Sequence, residues 1–127
     1  MLTKDSSIEI RKFDSKAHDR SNFDCGHDRL NNYLKTSATK LQKGDFTRVY
    51  VALEPGSTLV LGYHAINFGE IDASALDKAP RGAPSHKQLP VLFLGQIAVT
   101  KEAAVVGIGG ILMHHVFEKA VKVADEA

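Results

Sequence analysis

The sequence contains one cysteine, no tryptophan and no apolar run long enough to cross a membrane. Cys25 alone cannot form an internal disulfide, which excludes the disulfide scaffold of small secreted domains and fits a reducing compartment. The longest apolar stretches are far shorter than the roughly 18 to 20 residues of a membrane helix, and residues 1–7 lack the apolar core of a signal peptide. These absences predict a cytoplasmic protein that does not enter a membrane.

An overall charge of one sign is also lacking. The formal charge is +1, which excludes a general attraction to nucleic acid. Residues 29–48 nevertheless carry a local positive excess against Asp28 and Asp45. The basic residues of this segment are Arg29, Lys35, Lys40, Lys43 and Arg48. Either they contact phosphate or they form the solvated face of a helix, and the sequence leaves both explanations open.

The length of 127 residues suits one compact domain, so we expect a single domain over residues 1–127. Residues 8–10 alternate apolar and polar, which predicts a short opening strand. A helix is predicted from a cap at Asp24 to about Gly44, with Gly26 able to break its first turn. Its apolar stripe comprises Leu30, Tyr33, Leu34, Ala38 and Leu41.

The second half of the sequence predicts strands and one long helix. Residues 48–53 and 58–68 are rich in β-branched and aromatic residues around a turn, which indicates a hairpin. Residues 75–88 contain Pro80, Gly82 and Pro84 and predict an exposed loop. Residues 91–99 are nearly all apolar and predict a central strand buried on both faces. Residues 108–124 predict a helix with apolar residues around much of its circumference.

Glycines lie between this last strand and the helix. The order is a strand at residues 96–99, a loop at residues 100–106, and then Gly107, Ile108, Gly109 and Gly110 at the helix start. The first N–H groups of a helix are unpaired and favour anions, and glycine lets a phosphate approach them closely. Glycines at the same spacing also allow a helix to pack closely on a strand. The spacing by itself therefore does not distinguish a phosphate site from close packing.

Residues 94–113 resemble the acetyl-CoA motif of GNAT-type N-acetyltransferases. The run Phe23-Asp24-Cys25-Gly26, followed by Leu30-Asn31 and Tyr33-Leu34, is similar to a signature of the GNAT toxins of bacterial toxin–antitoxin pairs. Leu61-Gly62-Tyr63 and Leu89-Pro90-Val91 also match that branch, so the resemblance extends from about residue 8 onward. It implies an α/β (α+β) fold with a mixed, largely antiparallel sheet flanked by helices.

The resemblance implies a cosubstrate, a reaction and partners. Acetyl-CoA would bind with its pantetheine along Ile97, Ala98 and Val99. Its pyrophosphate would meet N–H groups of Val105, Val106, Gly107, Ile108, Gly109 and Gly110. In these toxins the acetyl group passes to the α-amino group of aminoacyl-tRNA, and a ribbon-helix-helix antitoxin neutralises the toxin. Contact with tRNA would then fall on the basic segment described above.

The sequence departs from the family pattern at two places. Ala104 stands where the loop motif has Gln or Arg, and Val105 and Val106 replace a glycine and a basic residue, which should weaken cofactor binding. The resemblance implies further C-terminal strands that carry a tyrosine acting as general acid, and we expect this part to be missing here, since no tyrosine follows Tyr63. No catalytic residue is assigned. An alternative is therefore an inactive GNAT-like module that binds CoA or a protein partner.

A sheet that stops at its central strand leaves an edge and an apolar helix face to be covered, which predicts a homodimer.

Other chemistry is disfavoured. His114 and His115 point about 100° apart on a helix, and His18, His27, His64 and His86 lack ligand spacing, so no metal site is predicted. Cys25 is expected to be structural. Glu70 and Asp72 either deprotonate an amine or are simply solvated.

Overall fold

A computed structural model describes residues 7–44, 47–72 and 88–126 of the chain. Its centre is a four-stranded sheet in the order β1-β2-β3-β4, and all three strand pairings are antiparallel. The strands are β1 (Glu9–Lys12), β2 (Thr47–Leu53), β3 (Gly62–Asp72) and β4 (Gln88–Val99). The helices are α1 (Asp28–Asn32), a π segment (Tyr33–Ser37), α2 (Ala38–Gln42), a 3₁₀ helix (Lys101–Val106) and α3 (Ile108–Glu126). The predicted antiparallel sheet flanked by helices is confirmed.

One face of the sheet is covered by the helical segment from α1 to α2. Leu34 and Ala38 are fully buried there and pack in the cluster that contains Val49 and Tyr63. The predicted helix is confirmed in place, but it begins at Asp28 and not after Asp24. The physical reason is Gly26, whose φ of +90° forms a turn before the helix.

The opposite face of the sheet is covered by α3. Ile108 and Leu112 are buried against β2 and β3, next to Leu61. A Cβ atom added at Gly62 would lie 3.0 Å from the carbonyl oxygen of Ala98 and 3.0 Å from a Leu112 methyl group. Glycine at position 62 therefore permits the close approach of α3 to the sheet.

The strand predicted over residues 91–99 is confirmed as part of β4, but the prediction that it is central and buried on both faces is wrong. Phe93 is 54% exposed and Leu94 is 38% exposed, whereas Ala98 is buried. Among the described residues β4 is the last strand of the sheet. Ala98 packs under the α1–α2 layer and Leu92 is partly buried in the cluster that contains Val116 of α3, whereas Phe93 and Leu94 between them are left exposed. A continuous run of apolar residues does not indicate which of them the helices cover.

Most of the predicted exposed loop at residues 75–88 lies outside the described residues; Gln88 itself begins β4. The hairpin prediction is confirmed, since β2 and β3 pair antiparallel with Ala52 opposite Gly62. Within the part of the chain that the structure describes, none of the helices has the length and apolar character needed to traverse a bilayer.

Candidate cofactor site

The first half of the candidate site is the end of β4. Ala98 is buried opposite Tyr63, while Ile97 and Val99 are half-buried against the cluster that α3 forms with the sheet. One edge of β4 pairs with β3. Its other edge pairs with no strand among the described residues, which leaves backbone N–H and C=O groups for an extended ligand.

A β-bulge lies just before this end. Leu94 faces Ile66 and Gln96 faces Ala65, so Gly95 is an extra residue in β4. Bulges bend a strand and are frequent next to active sites. The side-chain oxygen of Gln96 is buried and has no hydrogen-bond partner among the residues described. The bulge was not predicted from the sequence, although a glycine inside an apolar strand is a signal for one.

The second half of the site is the connection from β4 to α3. Thr100 is followed by the 3₁₀ helix, which contains Val105 and Val106 and ends at Gly107. Gly107 has φ +81°, a left-handed conformation that redirects the chain into α3. The Ile111 amide donates to the Gly107 carbonyl at 3.2 Å and closes the first helical turn. The N–H groups of the residues between these two have no partner within the helix.

The backbone at this helix start is open. Gly107 and Gly110 are exposed, and a Cβ atom added to either would meet nothing within 4 Å. Ile108 is fully buried and anchors the turn, and a Cβ at Gly109 would lie 3.9 Å from Val99. Ala104 is exposed and adds no polar group. The arrangement therefore fits an anion that is bound by backbone amides at a helix N-terminus.

Tyr63 is the last tyrosine of the sequence, but its environment is structural. It is fully buried, with the Tyr33 ring stacked at 5.9 Å and the Phe23 ring edge-on at 5.6 Å. Its hydroxyl donates to the Leu30 carbonyl at 2.7 Å. Burial raises the pKa of Tyr63 above its ordinary value. The Cys25 thiol lies 3.7 Å from the His27 carbonyl and packs at the edge of the same cluster.

Two histidines meet beneath α3. Nε2 of His64 on β3 lies 2.8 Å from Nδ1 of His115 on α3, and the Tyr50 ring lies against both. His64 is fully buried, and burial, then His115 and Lys119, lower its pKa to about 4. Burial lowers the pKa of His115 as well. The sequence analysis missed this pair; the available signal was a polar ring within an apolar strand, which requires a partner when buried.

The basic segment does not form one surface. Arg29, Lys40 and Lys43 are exposed, and Lys35 is half-buried, all on the helical layer. Arg48 is exposed too, but its guanidinium lies over the Phe68 ring at 4.6 Å, on the face that α3 covers. Strand alternation causes this separation, because the neighbouring Val49 points into the helical layer.

The remaining candidates of the sequence analysis fall at scattered positions. Glu70 is exposed near the end of β3, and Asp72 is the last residue of that strand. His114 is exposed and lies 2.9 Å from Glu118, one helical turn away. Within the described ranges, no group of three or more His, Cys, Asp and Glu side chains is placed to hold a metal ion.

Comparison with known proteins finds similarity by sequence. The chain is 33% identical over 118 residues to a probable toxin, TacT, of Sinorhizobium fredii (strain NBRC 101917 / NGR234), and the match covers 92% of this chain and 65% of the relative. No protein-family model matches the chain.

Solved structures show the same fold. AtaTR bound with AcCoA superposes with a TM-score of 0.77 at 24% identity, over 94% of this chain and 72% of that one. AtaT complexed with acetyl-methionyl-tRNAfMet superposes with a TM-score of 0.70 at 24% identity, over 87% of this chain and 66% of that one. The chain thus spans about two thirds of the length of these proteins. The sequence relative and the shared fold both support the resemblance of this chain to the GNAT toxins of toxin–antitoxin pairs.

Proposed function

We propose that this chain binds acetyl-CoA as a cosubstrate at the end of β4 and the start of α3. The pantetheine arm follows the outer edge of Ile97, Ala98 and Val99. The pyrophosphate accepts hydrogen bonds from the backbone amides of Val105, Val106, Gly107, Ile108, Gly109 and Gly110. The observation that carries this proposal is the open backbone at the start of a 19-residue helix, where added Cβ atoms at Gly107 and Gly110 would meet nothing.

The proposed reaction is acetyl transfer to an amine, namely the α-amino group of an aminoacyl-tRNA. The amine nitrogen forms an amide bond with the acetyl carbon, the thioester C–S bond breaks, and the proton lost by the amine ends on the CoA thiolate. The acetylated tRNA in the AtaT complex supports this acceptor. We assign no side chain of this chain to the proton transfer.

The proposed partners follow from the same family. The similar structure of the AtaT Y144F mutant toxin bound to the C-terminus of the antitoxin AtaR supports an antitoxin partner, which we propose to be a ribbon-helix-helix protein, in the cytoplasm. We propose that tRNA contacts the helical layer at Arg29, Lys35, Lys40 and Lys43. Arg48 would have to reach tRNA from the other face of the sheet. A homodimer is proposed to cover the exposed apolar residues of β4 and α3, which include Phe93 and Phe117.

Calorimetry with acetyl-CoA tests the cofactor site. Gly110→Glu places a carboxylate in open space beside the proposed pyrophosphate, and Gly110→Gln is its neutral match. We expect the Glu variant to lose binding and the Gln variant to retain most of it, because like charges repel at this site. If the wild type does not bind acetyl-CoA at millimolar concentration, the proposal is wrong.

A second candidate is a module that binds CoA without catalysing transfer. It is favoured by Ala104 in place of a polar loop residue. Incubation of the chain with labelled acetyl-CoA and charged tRNA separates the two candidates. Label on the aminoacyl group supports the transferase, and binding of acetyl-CoA with no transfer supports the module.

A further inference from the structure

The turn formed by residues 23–26, here called the signature turn, lies against the start of the 3₁₀ helix, although 76 residues separate Asp24 from Thr100 in sequence. The Lys101 amide donates to the Asp24 carbonyl at 2.9 Å. The Thr100 hydroxyl lies 3.2 Å from the Asp24 amide, from which it accepts, and 3.2 Å from the Asp24 carbonyl, to which it donates. The backbone of Asp24 is thus hydrogen-bonded to Thr100 and Lys101, the first two residues after β4.

The signature turn is itself held in shape. The Asp24 carboxylate accepts from the Gly26 amide at 2.9 Å and from the Asn31 side-chain amide at 3.0 Å. The Asn31 side-chain oxygen in turn accepts from the Cys25 amide at 2.9 Å. Phe23 is 1% exposed and anchors the turn in the core. These bonds to Gly26 and Asn31 lower the pKa of Asp24, so the carboxylate is ionised at neutral pH.

Thr100 connects the turn to the sheet and to the loop. Its amide donates to the Leu61 carbonyl at 2.8 Å, and its own carbonyl accepts from the Ala103 amide at 3.0 Å inside the 3₁₀ helix. The residue is only 6% exposed. Because buried hydrogen bonds fix both ends of this residue, Thr100 sets the direction in which the 3₁₀ helix leaves β4.

The ion pair in this region contributes little. Lys101 Nζ lies 3.8 Å from the Asp24 carboxylate, but both side chains are more than half exposed. Close packing is more informative: a Cβ atom added at Gly26 would lie 3.0 Å from the Lys101 side chain, and the φ of +90° at Gly26 is unfavourable for other residues. The turn and the loop are therefore joined by the hydrogen bonds of the Asp24 backbone with Thr100 and Lys101, and the Lys101 side chain packs beside Gly26.

We infer that Asp24, Asn31 and Thr100 form a positioning network for the phosphate-binding loop, which we call the loop tether. The loop tether fixes the 3₁₀ helix and thereby the amides of Gly107 to Gly110 that follow it. This inference depends on the proposed function only for the identity of the ligand, acetyl-CoA. None of the three residues is required to touch the cofactor.

Thr100→Val tests the loop tether, because it keeps the side-chain volume, removes the hydroxyl and leaves the Asp24 amide without that partner. We expect the Kd for acetyl-CoA to rise about tenfold, the equivalent of one or two lost hydrogen bonds. Thr100→Ser keeps the hydroxyl and should bind within about twofold of the wild type, which is a small difference on the same scale. Hydrogen exchange over residues 101–107 should be faster in the Val variant only.

Gln42→Leu is the matched control. Gln42 also makes two side-chain bonds to backbone, at 2.9 Å to the Phe13 carbonyl and 2.9 Å from the Val49 amide, but it lies in α2. We expect a similar loss of melting temperature with unchanged acetyl-CoA affinity and unchanged exchange over residues 101–107. If Thr100→Val does not fold, Asn31→Ala, which removes the bond to the Asp24 carboxylate and the bond from the Cys25 amide, replaces it in the same measurements.

The outcomes are distinguishable. A wild type that binds acetyl-CoA, with equal affinity in the Thr100→Val variant, overturns the loop tether and leaves the proposed function intact. A wild type that does not bind overturns the proposed function, and the exchange data alone then decide on the tether. Unchanged exchange over residues 101–107 in Thr100→Val overturns it, and faster exchange confined to these residues supports it.

Discussion

Acid should destabilise the fold through the buried pair of His64 and His115. In the folded chain the pKa of His64 lies at about 4, whereas the unfolded value is about 6.5, because burial and the nearby His115 and Lys119 oppose a positive charge. The other groups near the pair are Tyr50, and on α3 Glu118 and His114. Above pH 6.5 neither state binds the proton. As the pH falls toward 4, only the unfolded state binds it, so stability is lost.

The size of this loss follows from the two pKa values. The difference between about 6.5 and about 4 corresponds to about 3 kcal/mol of unfolding free energy, which is a large part of the stability of a small domain. The lowered pKa of His115 acts in the same direction. His64→Gln removes the main titrating group. We therefore expect the variant to be less stable than the wild type at pH 7, and this difference to shrink by about 2 to 3 kcal/mol by pH 4.5.

Urea denaturation at several pH values between 7 and 4.5 measures the effect. His114→Gln is the control, since His114 is exposed, lies next to His115 and pairs only with Glu118 at the surface. Its stability difference from the wild type should change little with pH. A difference between wild type and His64→Gln that stays constant from pH 7 to pH 4.5 would refute the assignment of the pH dependence to the buried pair.

Four further substitutions test the packing around the site. Gly62→Ala should lower stability by about 1 to 3 kcal/mol through overpacking against α3, and an unchanged melting temperature would contradict the close approach. Tyr63→Phe removes the hydrogen bond to Leu30 and should cost about 1 kcal/mol in urea denaturation, a loss that a free hydroxyl would not produce. Gly107→Ala should cost about 1 kcal/mol because of its φ of +81°, while Gly110→Ala in open space should gain up to about 1 kcal/mol; equal effects on melting would argue against the left-handed turn.

The features that the sequence predicted correctly depend on local pattern. Residues 96–124 predict a strand, a loop, glycines and a helix from the pattern of neighbouring residues alone. The structure has β4, the 3₁₀ helix and α3 in that order. The helix over Leu34 and Ala38 was equally visible from its spacing of apolar residues. Its start was misplaced because a glycine with positive φ and a short polar turn compete with the helix pattern.

The features that the sequence could not predict depend on which distant elements meet. The exposure of Phe93 follows from the position of β4 in the sheet, and no pattern within β4 encodes that position. The contact between His64 and His115 requires α3 to cross β3 at one particular depth. The position of Arg48 could have been predicted in part. Side chains alternate between the two faces of a strand, so Arg48 has to point away from the helical layer in which its neighbour Val49 is buried.

Ala104 changes how the proposed cofactor site has to work. A Gln or Arg at that position would hold a phosphate with a flexible side chain, and each such contact is worth about 1.5 to 3 kcal/mol. Without it, the affinity depends on backbone amides, whose contribution falls steeply as donor and acceptor move out of line. The loop therefore has to be held in place from outside itself. Thr100 and Asp24 supply hydrogen bonds at the start of the loop, and in the inferred loop tether these bonds connect the signature turn to the proposed cofactor site.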